Sequence, residues 1–282
     1  MLTDIADRTW LWAAAGFYLA GFVMGTWSLL RTGRPAGGRT NFLIAVGYMF
    51  QLIGLGIRGK AVAGCPLGNT FEIFQFTAWS ATTLYFMIGV TFRLSLLGYF
   101  TSCLSAALTL VSLLAPGWDA TRRAHIFGGN ALVEFHAAIA LFSYGVFALL
   151  ALTSLMFLLR HFSLKSKQLG GLFSFLPSIL DLDHIGLRLL VAGVSLLGLS
   201  LAMGLIFWAR GVAAVDAGKF IAPIIVWTAY GTALGLRLRG RLLSKRFAWT
   251  CLILFPVALL SLGFVDSSRH PIAPPVKSAS LP

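Results

Sequence analysis

The chain has 282 residues, 58% hydrophobic and only 11% charged, with a mean hydropathy of +0.85; soluble domains carry about 25% charged residues. That balance excludes a soluble globular domain and implies an all-α, polytopic membrane bundle. The formal net charge of +13 is spread between apolar runs and not gathered with aromatics in a soluble domain, which excludes nucleic-acid binding and leaves topology signals and lipid headgroup contacts.

Eight apolar runs follow one another, at residues 9–30, 41–57, 71–91, 96–115, 132–159, 185–209, 220–236 and 247–265. The first is preceded by the acidic stretch MLTDIADR, where a signal peptide would be basic, and is followed by no small-residue cleavage site, so it reads as a retained span. Lys and Arg set the orientation: with both termini outside, 13 of the 22 fall on the inner side and nine on the outer. Five of the inner ones lie in RLRGRLLSKR, the loop between the last two spans, where the positive-inside rule counts them fully. On this reading residues 1–266 form one transmembrane helical domain with both ends on the outer, periplasmic side. Three longer segments do not span: the outer GWDATRRAHIFGGNA, the inner HFSLKSKQLGGLFSFLPSILDLDH with its short apolar stretch GLFSFLPSIL suited to an interfacial helix, and a proline-rich tail. The tail, 267–282, reads as disordered.

Few residues carry chemistry. No H-E-x-x-H, G-x-S-x-G or phosphate-binding loop occurs, and none of the three cysteines forms a C-x-x-C pair, which excludes a thiol redox motif and covalent haem attachment. Cys103 and Cys251 fall inside apolar runs as small core residues, while Cys65 precedes a proline in a loop. Glu72 opens the third run, as a carboxylate favoured by the helix dipole or as a ligand contact. The informative residue is His136, five residues into the fifth run, LVEFHAAIALFSYGVFALLALTSLMFLL. At 1.5 Å per residue it lies about 6 Å from the helix start, near one membrane face. An ionisable residue there costs roughly 2.5 to 3.5 kcal/mol on insertion scales, so it is either an interfacial histidine or one that ligates a metal or carries a proton. Glu134, two residues away, points about 200° from it on a helix, so the two do not share a ligand. Arg188 reads as a snorkelling arginine at the inner interface. Asp216 and Lys219 flank the start of the seventh run and can pair on a helix surface or meet an anionic ligand. Trp79, Trp208 and Trp227 read as bundle or interface aromatics.

In order and spacing, four pieces resemble the cytochrome c assembly family, the haem-handling membrane proteins of the CcsA and HemX type: PLGNTFEIFQFTAW, EFHAAIALFSYGVFALLAL, LPSILDLDHIGLRLLVAGVSLLGLSLAMGLIFWA and VDAGKFIAPIIVWTAYGTALGLRLRGR. The resemblance runs from about Pro66 to His270. It implies a helical bundle that takes haem non-covalently at the outer face of a bacterial cytoplasmic membrane and presents it to apocytochrome c, acting with a second membrane subunit and without turnover of its own. It implies His136 as an outer axial ligand and His270, after the last span, as the second, with Arg269 or Lys219 beside the haem propionates. Glu72, Asp216 and Trp227 complete the candidate contacts. Where full haem exporters carry a W-G-x-x-W-x-W-D type loop, GVAAVDAGKF keeps only the Asp and Lys, a departure toward the shorter HemX-like branch. Two other readings stand beside this one: a structural or regulatory membrane protein that affects haem-enzyme levels without binding haem, and a solute transporter with His136, Glu134 and Glu72 as a proton relay.

Overall fold

The computed structural model describes residues 2–32, 37–92, 95–120, 130–165, 176–209 and 218–267. Among these residues, eight α-helices occupy the eight apolar runs: α1 (Leu2–Thr32), α2 (Gly37–Val62), α3 (Thr70–Phe92), α4 (Ser95–Leu114), α5 (Ala131–Lys165), α6 (Ile179–Ala209), α7 (Gly218–Leu238) and α8 (Ser244–Ser267). Several run past the apolar segment that predicts them, in part because of local caps. Asn130 caps α5 by accepting the Leu132 N–H on its side-chain oxygen at 3.0 Å, and Asn69 caps α3 in the same way through the Glu72 N–H at 2.9 Å. Ahead of α6, Ser178 accepts the Asp181 N–H and donates to its carboxylate, which starts the helix six residues before the apolar run at 185. At the other extreme, α7 closes on Gly240 in the left-handed region (φ 69°). The Arg241 N–H bonds the Leu236 carbonyl and the Gly240 N–H that of Arg237, a Schellman ending that needs the glycine.

Successive helices run antiparallel. The first four pack on one another through α1–α2, α1–α4 and α3–α4, and the last four repeat that pattern through α5–α6, α5–α8 and α7–α8; α3 and α5 join the two groups. One end of the bundle, here the terminal end, therefore gathers the starts of α1, α3, α5 and α7 and the finishes of the others. Among the described residues, seven helices are long and apolar enough to cross a membrane, as a polytopic membrane bundle requires. The remaining helix, α3, is of spanning length as well. At 23 residues it is about 34 Å long and matches the roughly 30 Å hydrocarbon core. It carries Glu72, Gln75, Thr77, Ser80 and Thr82, all buried. These polar groups meet partners inside the first group: Gln75 donates to Ser112 Oγ at 2.8 Å, Thr82 and Ser105 share a hydrogen bond at 2.8 Å, and Gln51 bridges Tyr18 and Gln75 at 2.8 and 3.0 Å. In an apolar medium each would otherwise go unsatisfied, so they specify which helices pack together.

The terminal end of the first group is tied by charge. Arg58, on the last turns of α2, is 0% exposed, and its guanidinium bonds Asp7 of α1 at 2.9 Å, Glu72 of α3 at 2.6 Å, and Asp119 in the short 3-10 turn (Pro116–Asp119) after α4. Arg8 adds a bond to Asp119 at 3.2 Å and one to the Leu113 carbonyl. Both guanidinium groups lie over the Phe71 ring, at 4.6 and 5.5 Å, which adds cation–π attraction. This cluster is also why α1 extends through the acidic stretch ahead of its apolar run.

At the opposite end, Arg237 bonds Asp183 and ties α7 to the start of α6. Asp183 is thus paired across helices, while Arg188 lies exposed along the groove lined by Leu84, Val146 and Leu189.

Two outcomes follow. Replacing Arg58 with Met removes the guanidinium that three buried or nearly buried carboxylates share, and unfolding in detergent should come at a Tm lower by the equivalent of about 3–5 kcal/mol. At Gly145 of α5 the two groups lie in close contact: a Cβ there meets Ser80 and comes within 3.0 Å of the Ala81 backbone nitrogen. Because backbone cannot move aside, Gly145→Ala should cost about 1–3 kcal/mol, read as a lower Tm at unchanged helix content.

Candidate functional site

The fifth span places His136 in the second turn of α5, on the side that packs against α6. There Ser200, 1% exposed, sets its hydroxyl 3.0 Å from His136 Nδ1 and 3.0 Å from the His136 carbonyl oxygen. Phe207, two turns further along α6, meets the imidazole edge-on at 6.2 Å between ring centroids. The Nε2 atom has no hydrogen-bond partner among the described residues. The result is a half-buried imidazole bonded at one nitrogen and packed against Phe207, with its second nitrogen unbonded among the described residues.

Other sequence-predicted residues are distributed around this point. Glu134 turns the opposite way on α5, as the helical spacing requires, and accepts the Cys65 N–H at 3.2 Å in the connection between α2 and α3. Glu72 is engaged by Arg58 and by the Gly68 N–H, so its carboxylate is committed to the charge cluster. His136, Glu134 and Glu72 therefore serve three separate sets of partners, and the structure does not assemble them into one relay. Trp227 donates its indole N–H to the Val194 carbonyl at 3.1 Å and lies against Gly198. Residues 194 and 198 sit roughly on the side of α6 away from Ser200, so α6 separates Trp227 from His136 and the two are not brought together. Lys219 falls in the first turn of α7, at the terminal end with His136. Asp216, Arg269 and His270 lie outside the described residues, as do His125, the stretch 171–175 of the expected interfacial helix and the tail beyond 267. The chain leaves α8 at Ser267, three residues before His270, at that same end.

Residues 67–270 match the cytochrome C assembly protein family. The chain belongs to that family. It is also 28% identical to "Protein HemX" of Brevibacillus brevis over 209 residues, 73% of this chain and 76% of the relative, and 26% identical to "Protein HemX" of Bacillus subtilis (strain 168) over 244 residues, 83% and 87%. Membership in the cytochrome c assembly family gives this multi-pass membrane protein a role in cytochrome c and haem biogenesis. The matched region opens at Leu67, beside the Glu72 cluster, and spans α3 to the start of the tail.

Four participants escape a reading of motifs: Arg58, Asp7 and Asp119 in the cluster, and Ser200 beside His136. A tally of opposite charges by membrane side would have found the first three, since all flank spans that share the terminal end. Ser200 has no such mark, being one small polar residue in a long apolar run.

Cys65 offers a direct check on the electrostatics of this end. Burial first, then the Glu134 and Glu72 carboxylates, push its thiol up from 9.0 to about 11, the reverse of what a thiolate ligand needs. Alkylation of Cys65 should therefore keep rising about tenfold per pH unit through pH 10, where an ordinary thiol levels off near 9. Glu134→Gln, which removes one of the charges, should move the inflection to lower pH, measured by iodoacetamide labelling and mass spectrometry.

Proposed function

We propose that this protein holds haem non-covalently at the outer face of a bacterial cytoplasmic membrane for cytochrome c biogenesis, with His136 as an axial ligand. The observation that carries the reading is a half-buried imidazole at the terminal end of the bundle whose Nε2 has no hydrogen-bond partner among the described residues, in a member of a family devoted to cytochrome c assembly. Among the described residues no three His, Cys, Asp or Glu side chains converge as a metal site. A bare metal ion would need such a set, whereas haem iron, already held by four porphyrin nitrogens, needs only one or two axial donors. A single positioned imidazole fits that requirement.

His270 is the proposed second ligand, since α8 delivers the chain to the same end three residues before it. Lys219, Arg269 and Asp216 are the proposed polar contacts, the two cations suiting the haem propionates. Bound haem supplies the iron and the vinyl groups that a cytochrome requires; the protein's part is to present an imidazole, neutralise propionate charge and keep one haem edge out of water. The positive-inside count supports an outer position for the terminal end. The longest connection between helices at this end covers residues 115–130, too short to fold as a domain that grips a polypeptide. A second membrane subunit and apocytochrome c are accordingly the proposed partners.

An absorption titration of the detergent-purified protein with haem tests this. The wild-type chain should develop a Soret band with low-spin character, and His136→Ala should weaken haem binding by tenfold or more, with a smaller loss for His270→Ala. An unchanged spectrum after both substitutions would falsify the assignment.

A further inference from the structure

The two contacts of the Ser200 hydroxyl cannot be made in any order. A hydroxyl has one proton to donate, and the His136 carbonyl oxygen can only accept. For both 3.0 Å contacts to be hydrogen bonds, the proton of Ser200 must go to the carbonyl and its lone pair must accept from Nδ1. That puts the imidazole proton on Nδ1 and, in the neutral ring, the lone pair on Nε2. With the opposite tautomer the hydroxyl proton is claimed by both Nδ1 and the carbonyl, and one contact is lost in a site where Ser200 is sealed from water. Histidine free in water favours the opposite form, with its proton on Nε2.

We propose that Ser200 is the positioning residue of the haem site: through its paired bonds to Nδ1 and the carbonyl of His136 it selects the Nδ1–H tautomer and presents the Nε2 lone pair to iron. The proposal rests on the haem-ligand reading of His136 for its purpose, though not for its geometry. Three features make α6 suited to the task. Ser200 comes from a different helix than the residue it orients, so it fixes the ring relative to the bundle and not merely to its own backbone. Its second bond, to the carbonyl of the same residue, prevents the hydroxyl from rotating to donate to Nδ1. Phe207 packs against the ring in a T-shaped contact with an interplanar angle of 83°. Hydrogen bonding at the far nitrogen also strengthens an imidazole as a donor to metal, and loss of such an outer partner typically costs about 10–100-fold in affinity.

Nitrogen-15 NMR of histidine-labelled protein in nanodiscs, without haem, reads the tautomer directly, with His136 assigned by its absence from His136→Gln. The wild-type ring should show a protonated Nδ1 and an unprotonated Nε2; a proton on Nε2 overturns the proposal before any variant is made. Ser200→Thr and Ser200→Val are nearly equal in size and differ in the hydroxyl. Thr should keep the wild-type pattern, and Val should shift the ring toward Nε2–H. On haem addition, Val should bind about tenfold more weakly with an altered low-spin EPR signature, while Thr stays within about twofold of wild type. Equal nitrogen shifts in Thr and Val would remove Ser200 from the role. Retention of haem by His136→Ala would instead overturn the ligand reading, leaving the tautomer result to stand or fall separately.

Discussion

A guanidinium with no access to water organises one end of this protein. Arg58 gathers carboxylates from α1, α3 and the turn after α4, and with Arg8 it sets two positive charges against the three negative ones of Asp7, Glu72 and Asp119. Such a cluster is not cheap to bury, and an apolar replacement of the whole set can be as stable. Its value is geometric: three separate chain segments must arrive at one point for any of the charges to be tolerated. That requirement fixes the height of α1, α2, α3 and α4 relative to one another. From Glu72 and Gly68 the constraint passes into the connection between α2 and α3, and the Cys65 N–H then holds Glu134 at the start of α5. His136 sits two residues further on.

The two four-helix groups divide their work by polarity. Inside the first group, glutamine, threonine, serine and tyrosine side chains satisfy one another across α1 to α4, giving directional bonds in surroundings where the hydrophobic effect between helices is weak. The second group relies on shape. Its centre is α5, the most deeply buried of the spans, with Phe147 stacked on Tyr230 at 3.8 Å. Glycine at 145 lets α5 lie directly against α3. The candidate haem ligand thus stands on the helix that both groups grip, which suits a donor whose position relative to iron has to be constant.

Much of this was legible in the residues. Each apolar run became a helix, because a segment of about 20 apolar residues in lipid has few other ways to satisfy its backbone. The divergence of Glu134 and His136 followed from helical geometry. Extensions beyond the runs were harder to see: the six-residue advance of α6 depends on Ser178 as a cap and on Asp183 meeting Arg237, 54 residues away. Glu72 could be read from sequence as a dipole-favoured carboxylate or a ligand contact, and only the arrival of Arg58 shows where its charge is spent. Trp227 belongs to the same class, since the face of α6 that it covers is decided by the packing of α7.

By itself, then, the sequence determined the number of helices, their membrane character, the family pattern and the prominence of His136, because hydropathy and charge act on each segment through the solvent it meets, whatever its neighbours. Tertiary structure decided the partners. Arg8 with Asp119 and His136 with Ser200 lie 111 and 64 residues apart, and no local preference brings them together. Their contacts exist because packed helices leave each buried polar group only a few places to find a partner, and among the described residues the Nε2 of His136 finds none.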